Sequence, residues 1–305
     1  MKDWQGVFPS ITTKFDARDH IDVPEMEHCI AMQLDAGVHG LILAAPIGEA
    51  HMLDMLEKIE VLKAARRVVA GKIPVLMTIS NSSTREACLF AEASASYGAD
   101  GLMVMLDGPF LPDPSEIEAH CRAVARASDL PLMILNNPAD YGTDLSPELL
   151  ARFADEPLVR AVADASGDVR RITRIINLTG ARYELFAGAD SLAFESLILG
   201  ASGWAAAIAA TFPKETVAIW RYAIAGHVEE ARRIYRWFQP LLDLGNPPKQ
   251  IQKVKLVERM VNGSSERCRL PRQPLSGEMR EAVEKTVRYA LAARAGILVH
   301  PPAAE

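Results

Sequence analysis

Short apolar segments alternate along the chain with longer amphipathic ones. One pattern occurs three times, at 36–41, 97–102 and 199–204: an amphipathic stretch runs into a glycine, and a second glycine three residues later begins an apolar run. The first glycine suits the left-handed C-cap of a helix, and the second opens a buried strand. The pattern therefore predicts a helix, a tight turn and a strand at each of the three places.

Extended along the chain, the same analysis predicts eight strands, at 6–13, 40–45, 74–80, 101–106, 131–136, 159–165, 183–189 and 203–210. Helical segments lie between them, as at 22–36, 53–70, 84–97 and 114–128. The strands are apolar throughout, which is typical of a parallel sheet covered on both faces. Eight strand-and-helix units then predict an α/β fold, a (β/α)8 barrel of the TIM type.

The alternation ends after residue 223. Three helical stretches follow, at 227–243, 248–262 and 277–293. We expect a barrel over 1–225, a C-terminal helical appendage over 226–295 and a frayed tail over 296–305. Pro301 and Pro302 in that tail cannot continue a helix.

Composition excludes several classes of partner. The 305 residues are 49% apolar and 24% charged, with a net charge of −6 and no block of like charge. A nucleic-acid or anionic-membrane partner therefore gains no electrostatic support, whereas small neutral or anionic ligands remain open. The longest apolar runs, 41–47 and 204–210, fall short of the roughly 18 residues that a membrane-spanning helix needs.

The chain also carries features expected of a cytoplasmic protein. Trp4 and Pro9 stand where an export signal would need a continuous apolar stretch, so we expect no such signal. The four cysteines are scattered singly, which fits neither a disulfide framework nor a C-x-x-C metal site.

No cofactor is predicted, because no Walker, dinucleotide-binding or His-Glu-x-x-His motif is present. Acidic residues and one histidine stand near predicted strand ends and offer possible metal ligands: Glu49, Asp107, Asp164, Asp190 and His51. We favour structural roles instead. Glu49 and Asp190 suit the N-terminal dipoles of the next helices, and Asp164 alternates with Ala163 and so should point away from the lumen.

The active site of a (β/α)8 barrel lies at the C-terminal ends of its strands, which defines the candidate site residues. Two are candidates for catalysis, Tyr141 as proton donor and Asn136. The candidates for substrate binding are Thr12, Thr13, Pro46, Ile47, Gly48, Glu49, Ser80, Leu135, Asn137, Ala163 and Ile208. The centre of this set is unusually apolar.

Four short motifs stand at or after predicted strands: Gly6-Val7-Phe8 with Thr12, Gly48-Glu49, Asn136 with Pro138, and Ser166-Gly167-Asp168. Through these motifs the chain resembles, over essentially its whole length, the dihydrodipicolinate synthase and N-acetylneuraminate lyase superfamily of class I aldolase-like barrels. The most similar branch is that of the pyrroline-4-hydroxy-2-carboxylate deaminases, through Asn136-Asn137-Pro138, Tyr141-Gly142, the segment 168–173 and the segment 235–238.

The resemblance implies a mechanism in which a strand-six lysine condenses with a 2-oxo acid, a strand-five tyrosine relays protons and a Thr-Thr pair binds the carboxylate. This chain departs from all three. Ala163 stands at the lysine position, Leu135 at the tyrosine position, and Pro46-Ile47 in place of the two threonines. Asp140 stands where the family has an arginine that attracts the substrate acid. Several coordinated changes favour a rebuilt pocket over a single inactivating lesion.

Two functions follow from this combination. The first is a lyase, a dehydratase, deaminase or aldolase, that acts on a small carboxylic or 2-oxo acid-like substrate without the Schiff-base lysine. The alternative is a non-catalytic homologue that binds a small ligand or a partner subunit. A relocated amine at Lys14 is a third, less favoured route, because lysines near loops are common. The resemblance also implies a homo-oligomer, a tetramer or a dimer.

Overall fold

Eight short parallel strands form one sheet, and the chain returns through helices between them, with a 3-10 turn coming first after the second, seventh and eighth strands. The computed structural model of the chain describes residues 4–81, 83–107 and 112–294. The strands are β1 Gly6–Pro9, β2 Leu41–Leu43, β3 Val75–Ile79, β4 Gly101–Met105, β5 Leu132–Asn136, β6 Val159–Asp164, β7 Glu184–Ala187 and β8 Gly203–Ala206.

The helices are α1 Val23–Asp35, α2 Met55–Val69, α3 Thr84–Ser96, α4 Pro114–Ser128, α5 Pro138–Tyr141, α6 Pro147–Ala151, α7 Arg170–Thr179, α8 Ala193–Ile198, α9 Pro213–Ile224, α10 Val228–Leu242, α11 Gln250–Asn262 and α12 Gly277–Ala293. Capping side chains fix the starts of several helices. The Ser83 hydroxyl accepts from the Glu86 amide, and the Ser146 hydroxyl accepts from the Leu149 amide, both at 3.2 Å.

The predicted barrel is confirmed. The strand order is β1-β8-β7-β6-β5-β4-β3-β2, and all pairs are parallel. A parallel bridge between Ser10 and Ile42 joins β1 to β2, and the Ile11 amide donates to the Ile42 carbonyl at 3.0 Å. The strands are shorter than predicted because 3-10 turns, such as Pro46–Gly48 and Ile208–Thr211, replace or directly follow their C-terminal ends.

Aromatic rings fill the N-terminal end of the barrel lumen. The Phe8 ring meets the rings of Trp4 and Phe186 edge to face, with centroid separations of 6.5 Å and 5.1 Å. Edge-to-face contact at such separations is a favoured arrangement of aromatic pairs. The second glycine of the repeated sequence pattern makes this packing possible. A Cβ at Gly101 would overlap the Trp4 ring, and a Cβ at Gly203 would overlap the Phe186 ring.

The C-terminal helices pack on the barrel at the predicted places. Helix α9 contacts β1 and α10, while α11 lies against the 3-10 turns at the C-terminal ends of β2 and β8. Helix α12 contacts α10 and α11. The predicted tail, 296–305, lies outside the described residues. In the described part of the chain, no helix is both long and apolar enough to cross a membrane.

Gly203→Ala tests the close approach inside the lumen. We expect the free energy of unfolding to fall by about 1–3 kcal/mol, because the new methyl group must displace the Phe186 ring. The added change Phe186→Leu should relieve the overlap, so the double variant should be less destabilised than the sum of the single ones. Urea denaturation followed by circular dichroism measures both.

The matched control is Gly226→Ala, where an added Cβ meets nothing within 4 Å but the backbone φ is +78°. This variant should lose about 1 kcal/mol through backbone strain alone. Additive effects of Gly203→Ala and Phe186→Leu would contradict the packing account.

Candidate functional site

A cavity of about 220 Å³ opens at the C-terminal ends of the strands; we call it the mouth cavity. Met103, Leu135 and Ala205 from β4, β5 and β8 contribute apolar side chains to its floor. Gln250 and Val254 of α11 line its opposite side and form a roof. The C-terminal helices therefore complete the cavity that the strands begin.

Ala163 lies beneath this cavity, on the luminal face of β6. It pairs in register with Leu135 of β5 and Phe186 of β7, and it is fully buried in the luminal cluster. Its neighbour Asp164 faces outward as predicted, where the Nε of Arg171 lies 3.2 Å from its carboxylate. The lumen therefore receives a methyl group from the position that the resemblance assigns to a lysine.

The turn after β2 brings Pro46 and Ile47 to the cavity. It is a 3-10 turn over Pro46–Gly48 that ends at Glu49 in the left-handed conformation, with φ at 60°. The Thr13 hydroxyl donates to the Gly48 carbonyl at 2.5 Å. A side chain at Gly48 would meet the Ile11 carbonyl oxygen at 2.7 Å, so the turn lies directly on the loop after β1.

Glu49 forms a buried ion pair and does not cap a helix, contrary to the prediction. Its carboxylate accepts from Lys255 of α11 at 2.5 Å, and both side chains are fully buried. The Arg269 amide donates to the same carboxylate at 3.2 Å, and an Arg272 nitrogen lies 3.5 Å away. The next helix, α2, is capped instead by Asp54.

A second buried ion pair joins α11 to the barrel. The Lys14 ammonium donates to the Glu258 carboxylate at 2.6 Å, and the Thr12 hydroxyl donates to it at 2.8 Å. Burial alone would lower the pKa of Lys14, but the charge and hydrogen bond of Glu258, together with the charges of Cys29 and Glu25, outweigh it and the net pKa is raised. Lys14 is fully buried and held protonated, which removes the support for a relocated Schiff-base amine.

Asn136, a predicted catalytic residue, has a structural role. Its amide donates to Asp164 at 3.0 Å and to Asp144 at 3.3 Å, and its carbonyl oxygen accepts from the Leu145 amide at 2.9 Å. The residue is fully buried, and these bonds use both ends of its side chain. It ties the loop after β5 to β6.

Three polar residues on the loop and helix after β5 reach the mouth cavity instead. Asn137, Asp140 and Tyr141 all contribute to its lining. The Asn137 amide donates to the Asp140 carboxylate at 2.8 Å. Burial, followed by the charges of Asp140 and Asp107, raises the pKa of Tyr141, so its hydroxyl keeps its proton and can serve as a hydrogen-bond donor.

Asp190 also lies at the cavity, but its carboxylate is already bonded. It accepts from the Trp204 indole at 2.8 Å and from the amides of Ala207 and Ala209 at 3.2 Å. Burial raises its pKa despite these donors. Asp190 does begin the 3-10 turn after β7, where the prediction placed it, and its carboxylate also holds the turn after β8.

The acidic groups near the strand ends do not converge. His51 pairs with Asp107 at 2.6 Å, whereas Glu49 turns toward Lys255. Within residues 4–81, 83–107 and 112–294, no group of three or more His, Cys, Asp or Glu side chains is arranged to hold a metal ion.

The structure brings five of the predicted site residues to the mouth cavity: Pro46, Ile47, Leu135, Asn137 and Tyr141. Their roles toward a ligand stay predictions. The other predicted residues lie outside its lining, in the ion pairs, in the loops or in the lumen below: Thr12, Thr13, Gly48, Glu49, Ser80, Asn136, Ala163 and Ile208. Sequence analysis missed the roof residues Asn246, Gln250 and Val254.

Glu258→Gln tests whether the buried pair holds α11 on the barrel. We expect the free energy of unfolding to fall by about 3–5 kcal/mol, because Lys14 would stay buried without its carboxylate. Replacing both partners by apolar residues, Lys14→Met with Glu258→Leu, should recover most of that loss. Denaturant titration gives the values.

The control is Glu229→Gln, which breaks an ion pair with Arg232 at an exposed site and should cost less than about 1 kcal/mol. A Glu258→Gln variant as stable as this control would contradict the assigned role.

Comparison with known proteins agrees with this architecture. Residues 3–290 match the Dihydrodipicolinate synthetase family. The 4-hydroxy-tetrahydrodipicolinate synthase of Methanospirillum hungatei is 30% identical over 294 residues, which cover 94% of this chain and 99% of the relative. The one from Natronomonas pharaonis is 30% identical over 287 residues, covering 92% and 96%. The chloride-inhibited dihydrodipicolinate synthase from Acinetobacter baumannii, complexed with pyruvate, has a TM-score of 0.89 at 27% identity, covering 96% of this chain and 99% of that chain. This chain belongs to the dihydrodipicolinate synthetase family.

Proposed function

We propose that this chain is a lyase of the family that acts on a small substrate in the mouth cavity without forming an imine. The observation that carries this proposal is Ala163, whose methyl group occupies the luminal position on β6. A Schiff base needs a primary amine that can lose its proton. Among the described residues, no lysine lines the cavity.

Tyr141 is the proton donor in this proposal. Its raised pKa keeps the hydroxyl protonated, and the ring packs against the luminal cluster that includes Leu135. Asn137 lies beside it and can orient a substrate oxygen or nitrogen. These groups act on a bound substrate by hydrogen bonding and proton transfer, which a lyase can use for elimination.

The apolar floor supports the second function, a homologue that binds a ligand without converting it. Asn136, one of two predicted catalytic side chains, is committed to Asp144, Asp164 and Leu145. A screen separates the two functions: 2-oxo acids, hydroxyproline-derived cyclic acids and their amides are tested for an increase in melting temperature and then for turnover. The cyclic acids test the likeness to the pyrroline-carboxylate deaminases.

Tyr141→Phe distinguishes catalysis from binding for any compound that stabilises the protein. The lyase proposal predicts that kcat falls by about 10²–10⁴-fold while the stabilisation is kept, since the ring stays and only the hydroxyl is lost. Asp129→Asn, at the opposite end of the barrel after α4, is the control and should change neither value. Stabilisation without any turnover in the unmodified protein would favour the non-catalytic homologue.

Borohydride trapping tests the absence of an imine. Incubation with pyruvate and borohydride, followed by mass spectrometry, should give no adduct, while a family member that retains the strand-six lysine serves as the positive control. Ala163→Lys should show at most slow trapping and no multiple turnover, because Leu135 and Ile47 give neither a proton relay nor a carboxylate contact. Trapping at Lys14, or robust turnover of Ala163→Lys with pyruvate, would overturn the proposal.

We also propose that the chain forms a closed homo-oligomer, a tetramer or a dimer. The adjacent helices α2 and α3 expose apolar side chains, among them Leu56, which is 79% exposed, and Leu89, which is 50% exposed. The resemblance to the family implies an oligomer, and these side chains are candidates for its contact surface. Sedimentation velocity should give a single species larger than a monomer at micromolar concentration. A monomer under these conditions would refute this assembly.

A further inference from the structure

The charges around the mouth cavity are unlike those expected for an acid-binding site. In the part of the chain that the structure describes, no lysine, arginine or histidine lines the cavity, whereas Asp140 and Asp190 do. Asp190 is buried and saturated by three donors, and burial raises its pKa. Among the charged side chains of the lining, the carboxylate that is not saturated by donors is therefore that of Asp140, which is exposed and accepts from the Asn137 amide.

Two of the cations nearby are paired elsewhere: Lys14 and Lys255 are fully buried in ion pairs with Glu258 and Glu49. A third, Lys253, is not part of the lining, although its ammonium donates to the carbonyl of the lining residue Asn246 at 2.5 Å.

The Tyr141 hydroxyl group lies near the carboxylates of Asp140 and Asp107. After burial, the charges of Asp140 and Asp107 are the causes that raise its pKa, although His51 lies against Asp107 at 2.6 Å. Two carboxylates thus act on a group inside the cavity. A ligand carboxylate would meet this potential with an apolar floor behind it, and it would find Pro46, which lacks an amide proton, at the first position of the turn.

We propose that the mouth cavity selects a small organic cation, a protonated amine, over a carboxylate of the same size. The ammonium group would donate to the Asp140 carboxylate, while the hydrocarbon part would lie on Leu135 and Met103. This inference rests on the proposed function in one respect, that the mouth cavity is where the ligand binds.

Two thiol reagents of similar size and opposite charge measure this selectivity without a known ligand. Leu135→Cys places a thiol in the cavity floor, in a parent protein in which the partly buried Cys88 and Cys268 are replaced by serine. The reagents are the methanethiosulfonates that carry a trimethylammonium-ethyl or a sulfonatoethyl group. Intact-mass spectrometry gives the rate at which each reagent modifies the introduced thiol. The ratio of the two rates is divided by the same ratio measured with free 2-mercaptoethanol. The ratio removes any change in thiol pKa, because both reagents attack the same thiolate.

We expect the cationic reagent to be favoured by about tenfold relative to 2-mercaptoethanol, because the exposed Asp140 carboxylate attracts the cation and repels the anion at short range. Asp140→Asn should lower this preference by at least about threefold, while the matched control Asp129→Asn leaves it unchanged. Ser191→Cys, a near-isosteric change in the same lining, repeats the measurement if Leu135→Cys does not fold.

A preference for the anionic reagent, no preference at all, or a preference that Asp140→Asn leaves unchanged would overturn the inference. None of these outcomes depends on imine formation. The charge selectivity can therefore fail while the imine-free proposal stands, and borohydride trapping can refute that proposal while the selectivity holds.

Discussion

Alternation along the strands decides what chemistry the inside of this barrel can perform, because only every second side chain faces the lumen. On β5 and β6 the luminal positions fall on Met133 and Leu135 and on Ala161 and Ala163. A shift by one residue would turn these apolar side chains outward and bring Asn136 and Asp164 into the lumen. The register of β5 and β6 thus gives both strands apolar luminal faces, and the polar groups that this side of the barrel offers a ligand come from the loops that follow them.

The roof of the mouth cavity depends on two reciprocal ion pairs. The barrel supplies a cation and an anion, Lys14 and Glu49, and α11 supplies their partners, Glu258 and Lys255. Shifting α11 along its axis would separate both pairs and leave the buried ammonium groups of Lys14 and Lys255 without their carboxylates, which is costly. The pairs therefore fix the position of α11, and with it the side chains that cover the cavity.

Much of the fold could be predicted from the sequence, because its signals are local. The glycines at 37, 98 and 200 have positive φ angles and follow helix ends. Of the glycines three residues later, Gly101 and Gly203 begin strands and Gly40 directly precedes one. The luminal orientation of Ala163 was also predictable, because the resemblance assigns this position to the lumen and Ala163 alternates with Asp164. The ion pairs were missed because their partners lie more than 200 residues apart in sequence. Charged residues at 255 and 258, among the buried positions of α11, were the available signal.

The central claim is that this member of the family does not form an imine with a 2-oxo acid. Exchange of the pyruvate methyl protons in D2O, followed by proton NMR, tests it most directly, since an imine that tautomerises to an enamine releases those protons to solvent. The account predicts exchange no faster than in the presence of heat-denatured protein. Protein-catalysed exchange that is lost in the double variant Lys14→Met with Glu258→Leu, which replaces both buried partners and is expected to keep the fold, would contradict it, because it would show that the lysine amine reaches the substrate.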